Sequence, residues 1–445
     1  MSRQNRHVCS GTALLVAAVI VSLPLVNAAP PASTASPAPA PAAGAEWPQW
    51  RGPNRDAISA DTGLLKSWPD GGPKLAWKAS GIGLGFSSLA IVGDRMYTMG
   101  DVGDEQFVFA LDRASGKILW KSKVGAAWKD EYPGPRGTPT VDGELLYAIG
   151  TDGDLVCLET ATGKERWRKS LPRDYSGYMM SVWKFSESPL VDGAKLIFSP
   201  GSDDAAIVAV DKKSGKDIWR ASVPRIGSKG KDGAGYSSIV VSQGAGVRQY
   251  VQLAGRGLIS VRAGDGKFLW GYNRIANNVA NISTPIVRGD YVFGSTGYGA
   301  GAGMVKLSRD GDGVKADEVY FLEGNKFQNH HGGMVLIGDY LYAGHGLNRG
   351  FPICIEFTTG KIVWGGDIRN AGSGSAAVGY ADGNLYFRYQ NGLMMLIEAT
   401  PSGYKEKGSF PIPDVKYPSW SHVVVLEGKL YVREMDNLYV YDVKS

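Results

Sequence analysis

Hydrophobic and polar positions alternate along this chain in a unit that is written five times. FALDRASGKILW ends at Trp120, VCLETATGKERW at Trp167, VAVDKKSGKDIW at Trp219, ISVRAGDGKFLW at Trp270 and ICIEFTTGKIVW at Trp364. Alternation with a period of two sends successive side chains to opposite faces of a strand, so each unit reads as strand, tight turn, strand. Gly116, Gly163, Gly215, Gly266 and Gly360 stand where that turn needs positive φ. The tryptophan beyond each of them is a large anchor for a neighbouring repeat.

A second hairpin precedes each of these. IVGDRMYTMG, TVDGELLYAIG, LVDGAKLIFSPG, IVRGDYVFGSTG, LIGDYLYAGHG, YADGNLYFRY and LEGKLYVREM all place a glycine-containing turn between two apolar runs. Each unit therefore predicts four strands. The aromatic anchors are Trp77, Trp120, Trp167, Trp219, Trp270, Phe321, Trp364 and Phe410, eight in all at intervals of 43 to 52 residues, which is the spacing of propeller blades. The last unit ends at Val443 after three strands, and Pro73 to Trp77 has no earlier unit to join. The first strand is thus expected to complete the last blade and leave no open sheet edge. The predicted fold is all-β: an eight-bladed β-propeller of four-stranded antiparallel blades over residues 73–445, expected to be monomeric. Cys157 and Cys354 share one repeat position four blades apart, beyond the reach of about 7 Å that a disulfide allows.

The N-terminal region changes the picture of location. Residues 1–28 carry Arg3 and Arg6, an apolar run from Leu14 to Val26 and a small-residue ending at Ala28, the pattern of a secretory signal peptide. Cys9 precedes the apolar run, so no lipid anchor is indicated. Residues 29–45 form an Ala/Pro spacer, and residues 46–72 a strap whose Trp47 and Trp50 are expected to pack on the body. The protein is expected to be exported, periplasmic or extracellular, with no transmembrane segment after signal removal. Losing Arg3 and Arg6 takes the formal charge from +5 to +3, since 43 acidic residues remain against two fewer than 48 basic ones. So weak and dispersed a charge argues against a nucleic-acid partner.

The repeated A-x-D-x-x-x-G-K-x-x-W ending resembles the pyrroloquinoline-quinone-like (PQQ-like) β-propeller superfamily. That group includes quinoprotein alcohol dehydrogenases and the propeller lipoprotein of the outer-membrane β-barrel assembly machinery. WPQWRGPNRD, NHHGGMVLIGDYLYAGHG and NLYVYDVK are similar to an exported subfamily of PQQ-like repeat proteins. The resemblance spans about residues 46–445. It implies either an envelope scaffold or a PQQ-dependent oxidoreductase of alcohols or sugars using PQQ with calcium. The chain departs from the dehydrogenases in lacking a vicinal Cys-Cys pair and a Cys-x-x-Cys-His haem site.

Residues just before the innermost strand of each blade converge on one mouth of a propeller channel. Aligning the units places Arg136, Ser186 with Glu187, Tyr236, Asn281, His330 with His331, and Trp420 to His422 there. After leader removal all four histidines, His330, His331, His345 and His422, fall in units six and eight. Three readings stay open. Imidazoles of His331 and His345 could ligate a transition metal, although His330 and His331, adjacent on an extended strand, would point to opposite faces. Alternatively, His330 or His422 is a general base, with Tyr236 or Arg136 stabilising an anion, as in eliminative cleavage of an acidic sugar, which makes the protein a propeller-type polysaccharide lyase or hydrolase. The third reading has the imidazoles capping strand ends. Trp183, Glu187, Asn281 and Trp420 are candidate contacts to a cofactor or ligand. Asp310 to Gly313 and Gly297 to Gly303 read as turns rather than as calcium or phosphate loops. The expected partner is a small-molecule or glycan ligand, or an envelope protein, held at the mouth.

Overall fold

The computed structural model describes residues 46–445. The expected signal peptide, Cys9 and the whole spacer lie outside the described residues. Eight four-stranded antiparallel sheets follow one another around the ring. Seven are continuous in sequence. The eighth takes Val424–Leu426, Lys429–Glu434 and Asn437–Asp442 from the C-terminus and Lys74–Ser80 from the N-terminus, with Trp77 opposite Val440. The only described helices are Leu171–Tyr175 and a 3-10 turn at Gly244–Gly246.

The repeat has a physical cause that the strand pattern alone does not show. In blades one to six the outer hairpin carries a register shift just before the aromatic anchor, as between Ala110 and Leu111 or Cys157 and Leu158. A bulge of this kind bends the strand and turns the indole out of its own sheet. At five seams the ring then lies on the turn glycine of the next blade. A Cβ added at Gly116, Gly163, Gly215, Gly266 or Gly360 would fall 2.6–2.9 Å from the ring of Trp77, Trp120, Trp167, Trp219 or Tyr320. These glycines also sit at φ between 69° and 75°. The turn therefore demands glycine twice, once for its backbone and once for the space the neighbour's ring occupies.

Polar tips complete the seam. Trp120 Nε1 donates to Thr160 O at 3.1 Å, Trp167 Nε1 to Lys212 O at 3.2 Å and Trp364 Nε1 to Thr400 O at 2.8 Å. In unit five the anchor is Tyr320, not Phe321. Tyr320 pairs with Met304 at the bulge and donates to Phe357 O at 2.7 Å, while Phe321 lies under Arg274. The shift arises because the bulge advances the side-chain phase by one residue. Cys157 and Cys354 are buried, unbonded to each other, and lie opposite Trp167 and Trp364, where a small side chain makes room for the indole.

Residues 47–65 plug the axis. Trp47 pairs with Ile91, and Ser59 N donates to Tyr380 O at 2.8 Å. The buried Arg55 guanidinium donates to Ser188 O (3.1 Å), Ile239 O (2.9 Å) and Pro189 O, tying together the innermost strands of blades three and four. Arg51 reaches Met334 O in blade six. Inner strands leave carbonyls facing the axis, and the two arginines supply the donors those carbonyls need. No described helix is long and apolar enough to cross a membrane.

Candidate functional site

On the side where the inner strands begin, the plug leaves a cup of about 270 Å³. Trp50 and Arg51 of the strap line it together with loops from the blades. Trp50 Nε1 donates to Thr284 Oγ1 at 3.1 Å, and its ring lies 4.5 Å from that of His422. Trp420 forms one aromatic wall, with ring centroids 5.0 Å from Phe86, 4.9 Å from Tyr132 and 4.4 Å from His331. A buried network behind this wall holds it. Arg388 bridges Glu434 at 2.6 Å and donates to Ser419 Oγ at 2.9 Å and to Ser421 O, the residues flanking Trp420.

The lining contains Arg51 and Arg136 but no aspartate, glutamate or lysine. Arg136 packs between Trp128 and Phe86, 4.1 Å and 5.5 Å from their centroids, and donates to Tyr132 O at 2.9 Å and Gly134 O at 3.3 Å. It forms no salt bridge with any described residue. Burial lowers it to about 9, so it keeps its charge at neutral pH. Arg51 Nη1 and His331 Nδ1 are buried and find no hydrogen-bond partner. Buried polar atoms rarely stay unpaired, so a cup with such atoms in its wall is built for a polar guest.

All three imidazoles in the cup are neutral at pH 7. Burial pushes His330 down to about 4 and His422 down to about 3, and drives His331 well below its usual range. His330 and His331 do not point to opposite faces; their rings stack at 3.5 Å. The reason is that both precede the strand, which begins at Met334, in a loop whose Gly333 has φ of 66°. His422 Nε2 lies 3.1 Å from the His331 carbonyl, so that nitrogen carries the proton and donates. His330 Nδ1 lies 2.8 Å from Ser375 Oγ and its Nε2 lies 3.0 Å from Tyr298 Oη.

Of the residues singled out from sequence, Arg136, Trp183, Tyr236, His330, His331, Trp420 and His422 line the cup. The Tyr236 hydroxyl sits 2.7 Å from Ser181 Oγ, which itself donates to Val279 O, so Tyr236 clamps a rim loop. Glu187, Asn281 and His345 lie behind the lining. Glu187 accepts from Ser199 N at 2.8 Å, and burial pushes it up to about 8. Asn281 donates to Ala254 O and Gly255 O, and His345 Nδ1 accepts from Gln328 N. No group of three or more His, Cys, Asp or Glu able to hold a metal occurs among the described residues, so His331 and His345 do not meet in one. Asp310 to Gly313 closes a hairpin. The repeat pattern does not single out Tyr298 or Arg51 as ligand-handling groups, and Trp50, expected chiefly to pack, also lines the cup. Tyr298 stands between glycines in the Gly297 to Gly303 turn, and a lone aromatic in such a turn was the available signal.

The ring, its seams and the plugged axis define a PQQ-like β-propeller repeat protein. The family model for the outer membrane protein assembly factor BamB matches residues 104–366, more than half of the chain, and the chain belongs to that family. Over 125 residues it is 28% identical to the outer membrane protein assembly factor BamB of Shewanella oneidensis, a stretch covering 25% of this chain and 28% of that relative's length. The fold matches BamB from Moraxella catarrhalis with a TM-score of 0.59 at 13% identity, covering 83% of this chain and 99% of the other. It matches the quinohemoprotein alcohol dehydrogenase ADHIIG from Pseudomonas putida HK5 with a TM-score of 0.61 at 13% identity, covering 90% and 80%. At these identities the two structures share the fold with this chain.

The calcium and PQQ pair suggested by the dehydrogenase resemblance does not fit the cup. Calcium takes six to eight oxygen ligands, commonly from carboxylates, and the cup presents none.

Proposed function

We propose that this protein is a cell-envelope propeller that binds a small anionic ligand carrying a sugar or other ring in its mouth cup. The observation that carries this reading is a partly buried Arg136 with no carboxylate partner, set among aromatic walls in a cavity free of acidic side chains. A guanidinium in such a place favours a carboxylate or phosphate guest, which supplies the missing charge and accepts its unused donors. Indole and phenol rings give a ring-bearing guest flat apolar area. The envelope location follows the relatives named as outer membrane protein assembly factors and the exported pattern of residues 1–28.

Thermal melts with a panel of uronic acid oligomers, aromatic carboxylates and PQQ with and without calcium test this reading. A ligand at 100 times its Kd adds about 2.7 kcal/mol to a fold that alone binds it. A saturable rise for at least one anion, lost in Arg136→Gln, is expected. No rise with any anion removes the reading. A scaffold role is the second reading, favoured by Val182 on the rim loop, which is 74% exposed beside Trp183. Co-purification of an envelope protein that Val182→Asp abolishes supports it.

A further inference from the structure

Two side-chain-bearing residues of the cup, Arg51 and Tyr298, stand in left-handed backbone, and Tyr298 is the one at the rim. It is a non-glycine residue at φ of 58°, between Gly297 and Gly299, and it stays 36% exposed at the rim. Left-handed backbone is uncommon for a bulky side chain and is tolerated where surrounding structure enforces it. Here it aims the phenol at His330 Nε2, 3.0 Å away. On the far side of that imidazole, Ser375 Oγ stands 2.8 Å from Nδ1, and also 3.3 Å from Asn348 Oδ1 and 3.4 Å from Leu347 O. Those last two oxygens only accept, so the serine hydroxyl donates to them and receives the Nδ1 hydrogen. In that tautomer Nε2 offers its lone pair to the phenol hydrogen. Tyr298, His330 and Ser375 form an ordered proton path from the rim into the wall.

This path faces a cup with no carboxylate. Glycoside hydrolysis commonly uses a pair of carboxyl groups, and the lining has neither. The remaining route by which acid–base groups alone break a sugar linkage is elimination next to a carboxylate. Resting on the reading that the cup takes an anionic ring, we infer that it is an elimination site for a uronic acid chain end, with Arg136 on the carboxylate and Tyr298 as the catalytic acid–base group relayed by His330. The phenol oxygen takes the proton from the carbon bearing the carboxylate as its own proton passes to Nε2. The carbon–hydrogen electron pair becomes a double bond to the adjacent carbon. The glycosidic carbon–oxygen bond there breaks, its pair leaves with the oxygen, and the proton held on His330 returns through Tyr298 to that oxygen. No oxidant, reductant, water or metal enters the balance. Because one group removes the proton and protonates the leaving oxygen, both must lie on the same face of the ring. Glucuronate and mannuronate, whose C5 hydrogen and C4 oxygen share a face, are the substrates expected; galacturonate, where they are opposed, is not. The plug closes the floor with Trp50 and Arg51, so a chain end enters and the bond broken lies at the rim beside Tyr298.

The experiment uses the full chain with polymannuronate, a glucuronate-containing polymer and polygalacturonate, following binding by thermal shift and the new double bond by ultraviolet absorbance. Wild type is expected to bind all three and to cleave the first two. Tyr298→Phe should bind as before, melt at the same temperature and lose about 10²–10⁴-fold in rate, the usual contribution of a positioned acid–base group. His330→Gln distinguishes a relay from a packing role by its pH profile. Its activity should return only at alkaline pH, where the phenol ionises unaided, whereas wild type needs only that His330 be neutral. Binding without any double bond overturns the inference and leaves the ligand reading intact. Cleavage of polygalacturonate alone overturns the single-group path, as does Tyr298→Phe at the wild-type rate. No binding of any uronide removes the ligand class, and the inference with it.

Discussion

The seams between blades and the cup at the mouth are built by opposite strategies. Five seams are copies of one device: an aromatic ring, a bulge that turns it outward and a turn glycine that receives it, from Trp77 on Gly116 to Tyr320 on Gly360. The cup has no repeated part. Arg136 comes from the loop before blade two, His330 from the loop before blade six's first strand, Trp420 from the loop before blade eight, and Trp50 with Arg51 from the strap. Repetition spreads stability evenly around a ring in which every repeat contacts its neighbours, whereas the chemistry of the mouth depends on single residues in connecting segments. Mutations should separate the two, and the largest effect is expected where they are joined.

That junction is the buried Arg388–Glu434 pair, both side chains 1% exposed. Arg388→Leu strands Glu434 without its partner, and breaking a buried pair from one side costs about 3–5 kcal/mol. Urea melts should show that loss. The double variant Arg388→Leu/Glu434→Leu should regain most of the stability yet still bind ligand poorly, because Ser419 and Ser421 lose the donors that fix Trp420. A double variant with wild-type affinity would mean that the wall needs no such support.

Trp120→Ala comes next, at about 3 kcal/mol, since it empties one seam and leaves a cavity. Trp167→Ala should cost nearly the same, and neither should alter ligand affinity. Trp420→Ala should do the reverse, with a small loss of stability and a large loss of affinity. Unequal costs for Trp120 and Trp167 would contradict the equivalence of the seams.

Repetition also decides what the amino-acid sequence discloses. Blade number, ring closure and the turn glycines are legible because each is stated several times, so one irregular unit cannot hide them. The anchor of unit five is misplaced by one residue because a bulge shifts the phase that alternation measures. At the cup, aligning repeats locates Arg136, His330 and Trp420, since each precedes an inner strand. It misses Tyr298, which lies in a turn on the other side of its strand, and Trp50 and Arg51, which belong to no repeat. The stacking of His330 on His331 is invisible to periodicity because Gly333 keeps that segment out of the strand.

The pH response sharpens the contrast from the mouth side. His330, His331 and His422 have lowered values in the fold, so the unfolded chain binds their protons more readily. Their contribution to stability is lost as pH falls below about 6.5 and grows as pH rises toward it. Glu187 works in the opposite sense. It is pushed up to about 8 with Oε1 unpartnered, so the fold holds its proton more tightly than the unfolded chain does, and stability falls as pH rises toward 8. Three imidazoles outweigh one carboxyl below about 6.5. The melting temperature should therefore peak near pH ~6.5 and decline by several degrees toward 8. Glu187→Gln should flatten the alkaline side and steepen the acid side, where the carboxyl opposes the imidazoles. An unchanged alkaline slope in that variant would show that another group titrates there.

The smallest effect tests whether space, and not backbone alone, makes the seam. Gly143 and Gly163 both occupy turns of blade two with positive φ, at 58° and 73°. A Cβ at Gly143 would meet nothing within 4 Å, whereas one at Gly163 would run into Trp120 and Ser122. Asparagine adopts left-handed backbone more readily than other residues with a side chain. Gly143→Asn should thus shift stability by no more than about 0.5 kcal/mol, the range of ordinary surface changes. Gly163→Asn meets the same backbone demand but must displace an indole, and should destabilise several times more. Equal, small costs at both positions would reduce the docking glycine to a turn residue, and the seam would then rest on the ring and its hydrogen bond alone.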